Sequence, residues 1–588
     1  MMLHDSQKAF YRSPLGPVPS GTKVTLRFAC ADATAVILRT WQDEERCYSM
    51  TPWVDEIWQY TLTMPDAPGL MWYSFIIYHR DGHTVRYGNA YDQMGGEGAV
   101  YEHGEAESFQ ITVYDKDYHT PAYLHGANIY QIFPDRFWRG KTVSADDRTD
   151  RFVHESWDEE MLSVGDLRGG QHQELDFFGG NLPGIVEKLP YLKSMGVDII
   201  YLNPIFRARS NHRYDTGDYT QIDPLCGTED EFRCLCSEAA RQGMRVLLDG
   251  VFSHTGEDSV YFNHFGTYPS VGACQGQDSP YYDWYTFKDF PNDYRAWWGI
   301  LSLPELRKDH PTYQDFMFRD GDGIVPRWID AGACGWRLDV ADELSMDFLR
   351  KLRIVARKAD PDAVVLGEVW EDASNKVAYG ELRCYCTGDT LDSVMNYPLR
   401  DAILGFVTGR TSAQDLVRLV RHQAEVYPAA FRYSLMNLIG SHDRPRVLNM
   451  LCERECAELS KAEQQHVRLS VDEYALAVKR YKMCIDLLCA LPGCPTIYYG
   501  DEAGLTGCQD PWCRRPFPWG KEDKALQSYV ANKLTHRQHS EVLKYGLCDI
   551  TAIDDDTVTI TRRMEAGLDG LGQPTTAAGC EVITVCRK

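Results

Sequence analysis

With 588 residues the chain is too long for one hydrophobic core, so a large central domain with smaller attached modules is expected. Its 85 acidic against 61 basic residues give a net charge of −24, which repels polyanions and excludes nucleic acid and anionic membrane surfaces as natural partners. A hydrophobic fraction of 44% excludes a disordered chain, while 14 Trp and 34 Tyr suit flat, hydroxyl-rich ligands such as sugars.

The N-terminus, MMLHDSQKAFYRSPLGPVPS, lacks the basic start and apolar stretch of an export signal, and no segment is apolar enough to span a bilayer. These features predict a soluble, cytoplasmic protein. The odd count of 19 cysteines then predicts free thiols, with close pairs such as Cys234/Cys236, Cys384/Cys386 and Cys508/Cys513 lacking a paired zinc spacing. From about Gly21 to Tyr114 the sequence alternates in short runs; Val24, Leu26 and Phe28 share one face, and DAPG and RDGH interrupt the runs. Residues 1–120 therefore read as an N-terminal β-sandwich.

Near Asn128 the rhythm changes to alternating strands and helices. NIYQIFPDRF, VDIIYLNPIF and MRVLLDGVFSH read as strands. VEKLPYLKSMG and EDEFRCLCSEAARQG read as helices, the second with Phe232, Leu235, Cys236, Ala239 and Ala240 on one stripe. A segment over 255–311 without helical period interrupts the pattern, and loops of that length usually have a function. The alternation resumes with a helix around YQDFMFRDGDGIVPRWIDAG, the strand GWRLDVAD, the helix FLRKLRIVARKA and the strand AVVLGEVW. DSVMNYP, YSLMNLIGSHD and PTIYYGDE follow, the last after a helix around ALAVKRYKMCIDLLCAL. Eight such strands predict a (β/α)8 TIM barrel over 121–540, with reactive groups at the strand C-terminal ends. Residues 541–588, including TVTITRR and EVITVCRK, read as a short C-terminal β domain.

Polar residues gather at those strand ends: Asp249 and His254, then Arg337 and Asp339, then Glu368, then His442 and Asp443. In GWRLDVADEL, alternation puts Arg337, Asp339 and Ala341 on one face and Trp336, Leu338 and Val340 on the other. Carboxylates beside an arginine and two histidines, without a phosphate loop, point to glycosidic chemistry. Asp339, held ionised by Arg337, is the candidate nucleophile. Glu368, facing Asp339 and Asp443, should have its proton affinity raised by like charge and burial, which makes it the candidate acid/base.

These residues stand in motifs that resemble glycoside hydrolase family 13, the α-amylase family. DGVFSH (Asp249 to His254), GWRLD (Arg337, Asp339), GEVW (Glu368) and SHD (His442, Asp443) match its four motifs in order. LPEL resembles a degenerate fifth motif, and Tyr214 in NHRYDTGDY resembles the family's sugar-stacking tyrosine. The resemblance implies a covalent glycosyl intermediate on Asp339, proton transfer by Glu368 and a grip on sugar hydroxyls by Asp443. Arg337, His254 and His442 would complete the subsite, with stereochemistry retained and a carboxyl separation of about 5 to 5.5 Å.

The leading β-module, YQIFPDRF, DVADE and GEVW resemble the neopullulanase, cyclomaltodextrinase and maltogenic amylase group. That implies α-1,4 glucan oligosaccharides, cyclodextrins or pullulan as substrates, and a homodimer through the N-terminal module. DPWCRRPFPWG would place Asp510 and Arg514 on the second sugar from the cut, and Trp370 would stack on the leaving side. No cofactor is required. Calcium is disfavoured, because Ser253 replaces a ligating asparagine and FWRGKTVSADDRTD matches the family's calcium loop poorly. Asp342, Glu305 and Arg307 depart from the group's wording, which leaves the choice between α-1,4 and α-1,6 bonds open. Three other readings compete: a magnesium-dependent barrel lyase, which Arg337 beside Asp339 opposes; a non-catalytic glucan binder, which the intact acidic trio opposes; and a transglycosylase on the same fold.

Overall fold

Lys23–Cys30 alternates strictly, with Val24, Leu26, Phe28 and Cys30 buried, and this alternation joins two sheets over one core. The computed structural model describes residues 2–141, 148–163, 173–453 and 456–588. One N-terminal sheet joins Met2–Leu3, Arg12–Ser13, Lys23–Cys30, Thr51–Val54 and Ile57–Thr63. The other centres on Gly69–His79, flanked by Ala33–Trp41, Thr84–Gly88 and Phe109–Tyr114. Leu38, Phe75, Ile77 and Ile111 face the first sheet's residues in the shared core. The module docks on the helix Ala413–Val426: fully buried Arg12 gives Nη1 to Glu425 (3.3 Å) and to the Gln110 carbonyl (3.0 Å), and Thr112 donates to the Val426 carbonyl (2.8 Å).

Eight parallel strands form the central sheet: β1 Ile129–Ile132, β2 Ile199–Leu202, β3 Arg245–Gly250, β4 Gly335–Leu338, β5 Val364–Gly367, β6 Ser393–Val394, β7 Met436–Leu438 and β8 Cys494–Tyr498. Their order is 6-5-4-3-2-1-8-7, and a parallel bridge between Met395 and Met436 joins the two ends into a ring. This is the (β/α)8 barrel that the alternation predicts. Apart from Arg245 the strand residues are buried, because helices cover the outside and side chains fill the inside. The helices begin where the sequence supplies caps. Asn181 accepts from Gly184 N–H before Leu182–Ser194, and Thr228 with Glu231 forms a capping box before Glu229–Arg241. After the barrel, Leu547–Asp554, Thr557–Met564 and Gly579–Cys586 pair antiparallel. No helix among the described residues is long and apolar enough to cross a membrane.

Several local expectations fail for identifiable reasons. The helix expected around residues 313–332 is two, Pro311–Phe318 and Ile324–Asp330, interrupted where Gly321 takes a positive φ. Ala240 is exposed rather than on the buried stripe. β4 ends at Leu338, so Val340 and Ala341 do not continue its alternation: Val340 turns left-handed (φ 37°) and Ala341–Glu343 forms a short 3-10 turn. The thiols are not all free. Cys456 and Cys508, 52 residues apart, form a disulfide, leaving 17 unbonded cysteines. They lie in the loops after the neighbouring strands β7 and β8, an adjacency that no spacing reveals. Part of the FWRGKTVSADDRTD segment, residues 142–147, lies outside the described residues.

Just beyond β8 lies Glu502, fully buried, with one carboxyl oxygen accepting from the hydroxyls of Tyr130 (2.6 Å) and Tyr191 (2.5 Å). Burial pushes its carboxyl up to about 7 from an ordinary 4.5. The folded state therefore holds a proton that the unfolded chain has released, so this contribution to stability is complete below pH 4.5 and is lost as pH rises through 7. Relative to Glu502→Gln, the wild type should lose roughly 3 kcal/mol between those limits, by denaturant titration at a series of pH values. A constant gap between the two proteins would show that Glu502 is ionised throughout.

Candidate active site

The C-terminal ends of β3, β4 and β5 carry Asp249, Arg337 and, just past their strands, Asp339 and Glu368. Register pairs Asp249 with Arg337 across β3 and β4, so the two point into the barrel together. The Arg337 guanidinium is completely buried and divides its charge among three carboxylates. Nη1 reaches both oxygens of Asp249 at 3.0 Å and Oδ1 of Asp339 at 3.2 Å, and Nη2 lies 3.0 Å from Oε2 of Glu368. One cation facing three buried anions leaves negative charge in excess. Asp339 is pushed well above the usual carboxylate range by burial and then by the charge of Glu368, with Arg337 opposing. The expectation that Arg337 simply holds Asp339 ionised is corrected accordingly: the arginine is shared, and the carboxylates compete for it.

Glu368 accepts two further hydrogen bonds. Val340 N–H donates to Oε2 (2.8 Å), and Trp370 Nε1–H donates to Oε1 (3.1 Å). The Val340 bond depends on that left-handed backbone, a conformation costing a β-branched residue about 1–3 kcal/mol. Trp370 is itself anchored. One neighbour is the Tyr397 ring, parallel at 3.9 Å, and the Arg444 guanidinium lies 4.4 Å from its centroid.

Beyond β7, His442 and Asp443 complete the mouth. His442 Nδ1 accepts from the Gln131 (2.9 Å) and Asn203 (3.2 Å) amides, which leaves the proton on Nε2, 3.2 Å from Asp443 Oδ1. Burial, then the charge of Arg514, keeps this imidazole neutral by lowering its pKa well below the usual value. Asp443 is raised to about 7 by burial and by Glu368. Arg514 lies 3.7 Å from Asp443, pairs with Asp510 at 2.9 Å, and donates to the His442 carbonyl at 3.1 Å.

The structure thus brings Asp339, Glu368, Asp443, Arg337, Asp249, His442, Tyr214, Asp510, Arg514 and Trp370 to one end of the barrel, but it changes some parts. Both oxygens of Asp249 are engaged by Arg337, and Oδ2 also accepts from Tyr201 (2.6 Å) and Tyr214 (2.8 Å), so Asp249 supports Arg337 and Tyr214 from behind. Tyr214 stacks parallel to His442 with centroids 5.2 Å apart. His254 lies beside them with both nitrogens occupied, Nδ1 by the Ser253 hydroxyl (2.9 Å) and Nε2 by the Tyr214 carbonyl (3.2 Å); burial lowers its pKa to about 3. Sequence reading missed Gln131, Asn203, Tyr201 and Val340. The first two are polar residues in apolar strand ends, IYQIF and YLNPIF, a usable signal. A valine's backbone angle leaves none. Among the described residues, the one grouping of three ligand atoms close enough to share an ion is Cys30, Asp32 and His79, in the sandwich.

Residues 131–542 match the family model described as "Alpha amylase, catalytic domain". An amylopullulanase of Thermoanaerobacter thermohydrosulfuricus is 36% identical over 97% of this chain; the chain spans 41% of that relative's length. A cyclomaltodextrinase of Geobacillus thermopakistaniensis is 32% identical, over 86% of this chain and 80% of the relative. Among solved structures, the cyclic α-maltosyl-(1→6)-maltose hydrolase of Arthrobacter globiformis, in complex with that sugar, superposes with a TM-score of 0.62 at 30% identity, covering 76% of this chain and 90% of the other.

If Arg337 holds three carboxylates together, Arg337→Gln leaves them buried and uncompensated. The variant should lose about 3–5 kcal/mol in urea denaturation. Arg337→Lys, which keeps the charge but loses the fork, should fall between it and wild type. An unchanged midpoint for the glutamine variant would mean that the charge is balanced elsewhere.

Proposed function

The chain belongs to the α-amylase family, and on that premise we propose that it is a retaining glycosidase of α-glucans, cutting α-1,4 bonds in maltodextrins, cyclodextrins or pullulan by double displacement. One observation carries this reading: Asp339 and Glu368 contact the two terminal nitrogens of one buried guanidinium, with Asp443 beside them in electrostatic contact with Glu368. The relatives named amylopullulanase and cyclomaltodextrinase support the substrate class, and the amylopullulanase name supports α-1,6 bonds as additional targets.

In the reactive state the proton sits on Glu368 and Asp339 is ionised; an Asp339 oxygen forms a bond to the anomeric carbon while the glycosidic bond breaks, and the departing oxygen takes the proton from Glu368. Bond formation neutralises the Asp339 charge. That loss offsets the charge Glu368 has acquired, and Glu368 can then take a proton from water as the water oxygen attacks the anomeric carbon and releases Asp339. Asp443, with His442 and Arg514 fixing its orientation, holds sugar hydroxyls. Every proton is supplied and recovered by Glu368, so we propose that no cofactor or calcium is needed. Seventeen unbonded cysteines against the single Cys456–Cys508 disulfide support a predominantly reducing, cytoplasmic setting in which the substrates are imported oligosaccharides.

The test is incubation of pure protein with cyclodextrin, pullulan, maltodextrin and starch, followed by product chromatography and proton NMR of the first product. Expected are short α-anomeric oligosaccharides and undiminished activity after exhaustive chelation, with Asp339→Asn reducing turnover at least about a thousandfold. A β-anomeric product, or full turnover by Asp339→Asn, would refute the mechanism. Excess maltose as acceptor separates hydrolysis from transfer by whether longer sugars accumulate.

A further inference from the structure

Two large aromatic side chains from different loops meet at one carboxylate outside the catalytic cluster. Trp298, in the insertion after β3, is 79% exposed; Tyr379, at the turn of the hairpin Lys376–Ala378 and Glu381–Arg383, is 63% exposed. The Trp298 indole N–H donates to Oε1 of Glu343 at 3.3 Å, and the Tyr379 hydroxyl donates to the same oxygen. Both residues have left-handed backbones, with φ 50° and 52°. Burial gives little back for either ring, so folding stability does not account for two strained, exposed aromatics fixed in place.

Their position relates them to the cleft. Glu343 closes the short turn that follows Asp339 and Val340, only three residues from the N–H bound to Glu368. In the same turn Asp342 accepts from Lys376 Nζ (2.6 Å) and from the Tyr385 hydroxyl (2.5 Å), clamping the hairpin beside the barrel mouth. From the other side, rings lead outward from the cleft. Trp297 lies 5.3 Å from His254, and Trp298 lies 5.7 Å from Trp297. A cavity of about 430 Å³ opens between insertion and hairpin, lined by groups including Arg295, Glu305, Lys308, Asp309, Glu343 and Tyr379. It offers the Tyr379 ring with hydrogen-bonding groups of both signs, and Trp298 stands at its side through their shared Glu343, the combination that a pyranose with an apolar face and an equatorial rim of hydroxyls requires.

We propose that Trp298 and Tyr379, tied together by Glu343, form an outlying binding site for an α-glucan chain, engaging sugar units well beyond the bond being cut. This rests on the hydrolase reading and adds a chain-length preference to it. The catalytic carboxylates are common to every substrate, whereas only a chain long enough to leave the cleft reaches these rings.

The test compares wild type with Trp298→Ala, Tyr379→Ala and the double variant on maltotriose and on maltoheptaose, with melting temperatures recorded. The ratio of kcat/KM for maltoheptaose to that for maltotriose should fall about fivefold in each single variant and further in the double variant. A ratio equal to wild type, or losses that accompany a lowered melting temperature and strike both sugars alike, would overturn the site. Calorimetric binding of maltoheptaose is measured in parallel on an Asp339→Asn background. Weaker binding when Trp298 or Tyr379 is removed supports the site, and equal binding overturns it, even where wild type proves unable to hydrolyse any glucan. That last result would sink the hydrolase reading alone.

Discussion

The arrangement depends on a single buried cation. Arg337 is the positive group that lets Asp249, Asp339 and Glu368 stand together at the end of three adjacent strands. A buried ion pair repays its desolvation only when the geometry is good and the remaining polar atoms have partners, and here the fork supplies that geometry. Because one charge serves three acids, none is fully neutralised. The site therefore contains a shared arginine and competing carboxylates, from which a nucleophile and an acid/base are differentiated once a sugar occupies the space between them.

Around this core, the protein fixes the reacting groups through atoms that do no chemistry. Val340 accepts an unfavourable backbone angle and places its N–H on Glu368; Trp370 adds a second donor and is itself held by Tyr397 and Arg444. Gln131 and Asn203 set the tautomer of His442 and thereby the donor that Asp443 meets. These supports come from β1, β2 and β4 to β7, so the closed ring itself is a condition of the site. The same turn that positions Val340 ends in Asp342 and Glu343, which links the reacting carboxylates to the hairpin and to the insertion.

The chain's own letters determined much. Alternating strands and helices required a barrel, and charged residues at four strand ends located its functional face, because apolar strands tolerate charge only where they open to a polar mouth. Arg337 and Asp339, two apart in an otherwise apolar run, were legible for that reason. So was the sandwich core of Val24, Leu26 and Phe28, since period-two burial is local information. What the tertiary structure alone decided is how charge and proton are divided. The partition of Arg337 among three acids, the pairing of Cys456 with Cys508, the left-handed turn at Val340 and the meeting of Trp298 with Tyr379 all join residues distant in sequence or depend on a backbone angle that no residue type dictates. Coulomb energy and hydrogen bonding act over a few ångströms, and those distances exist only after the ring has closed.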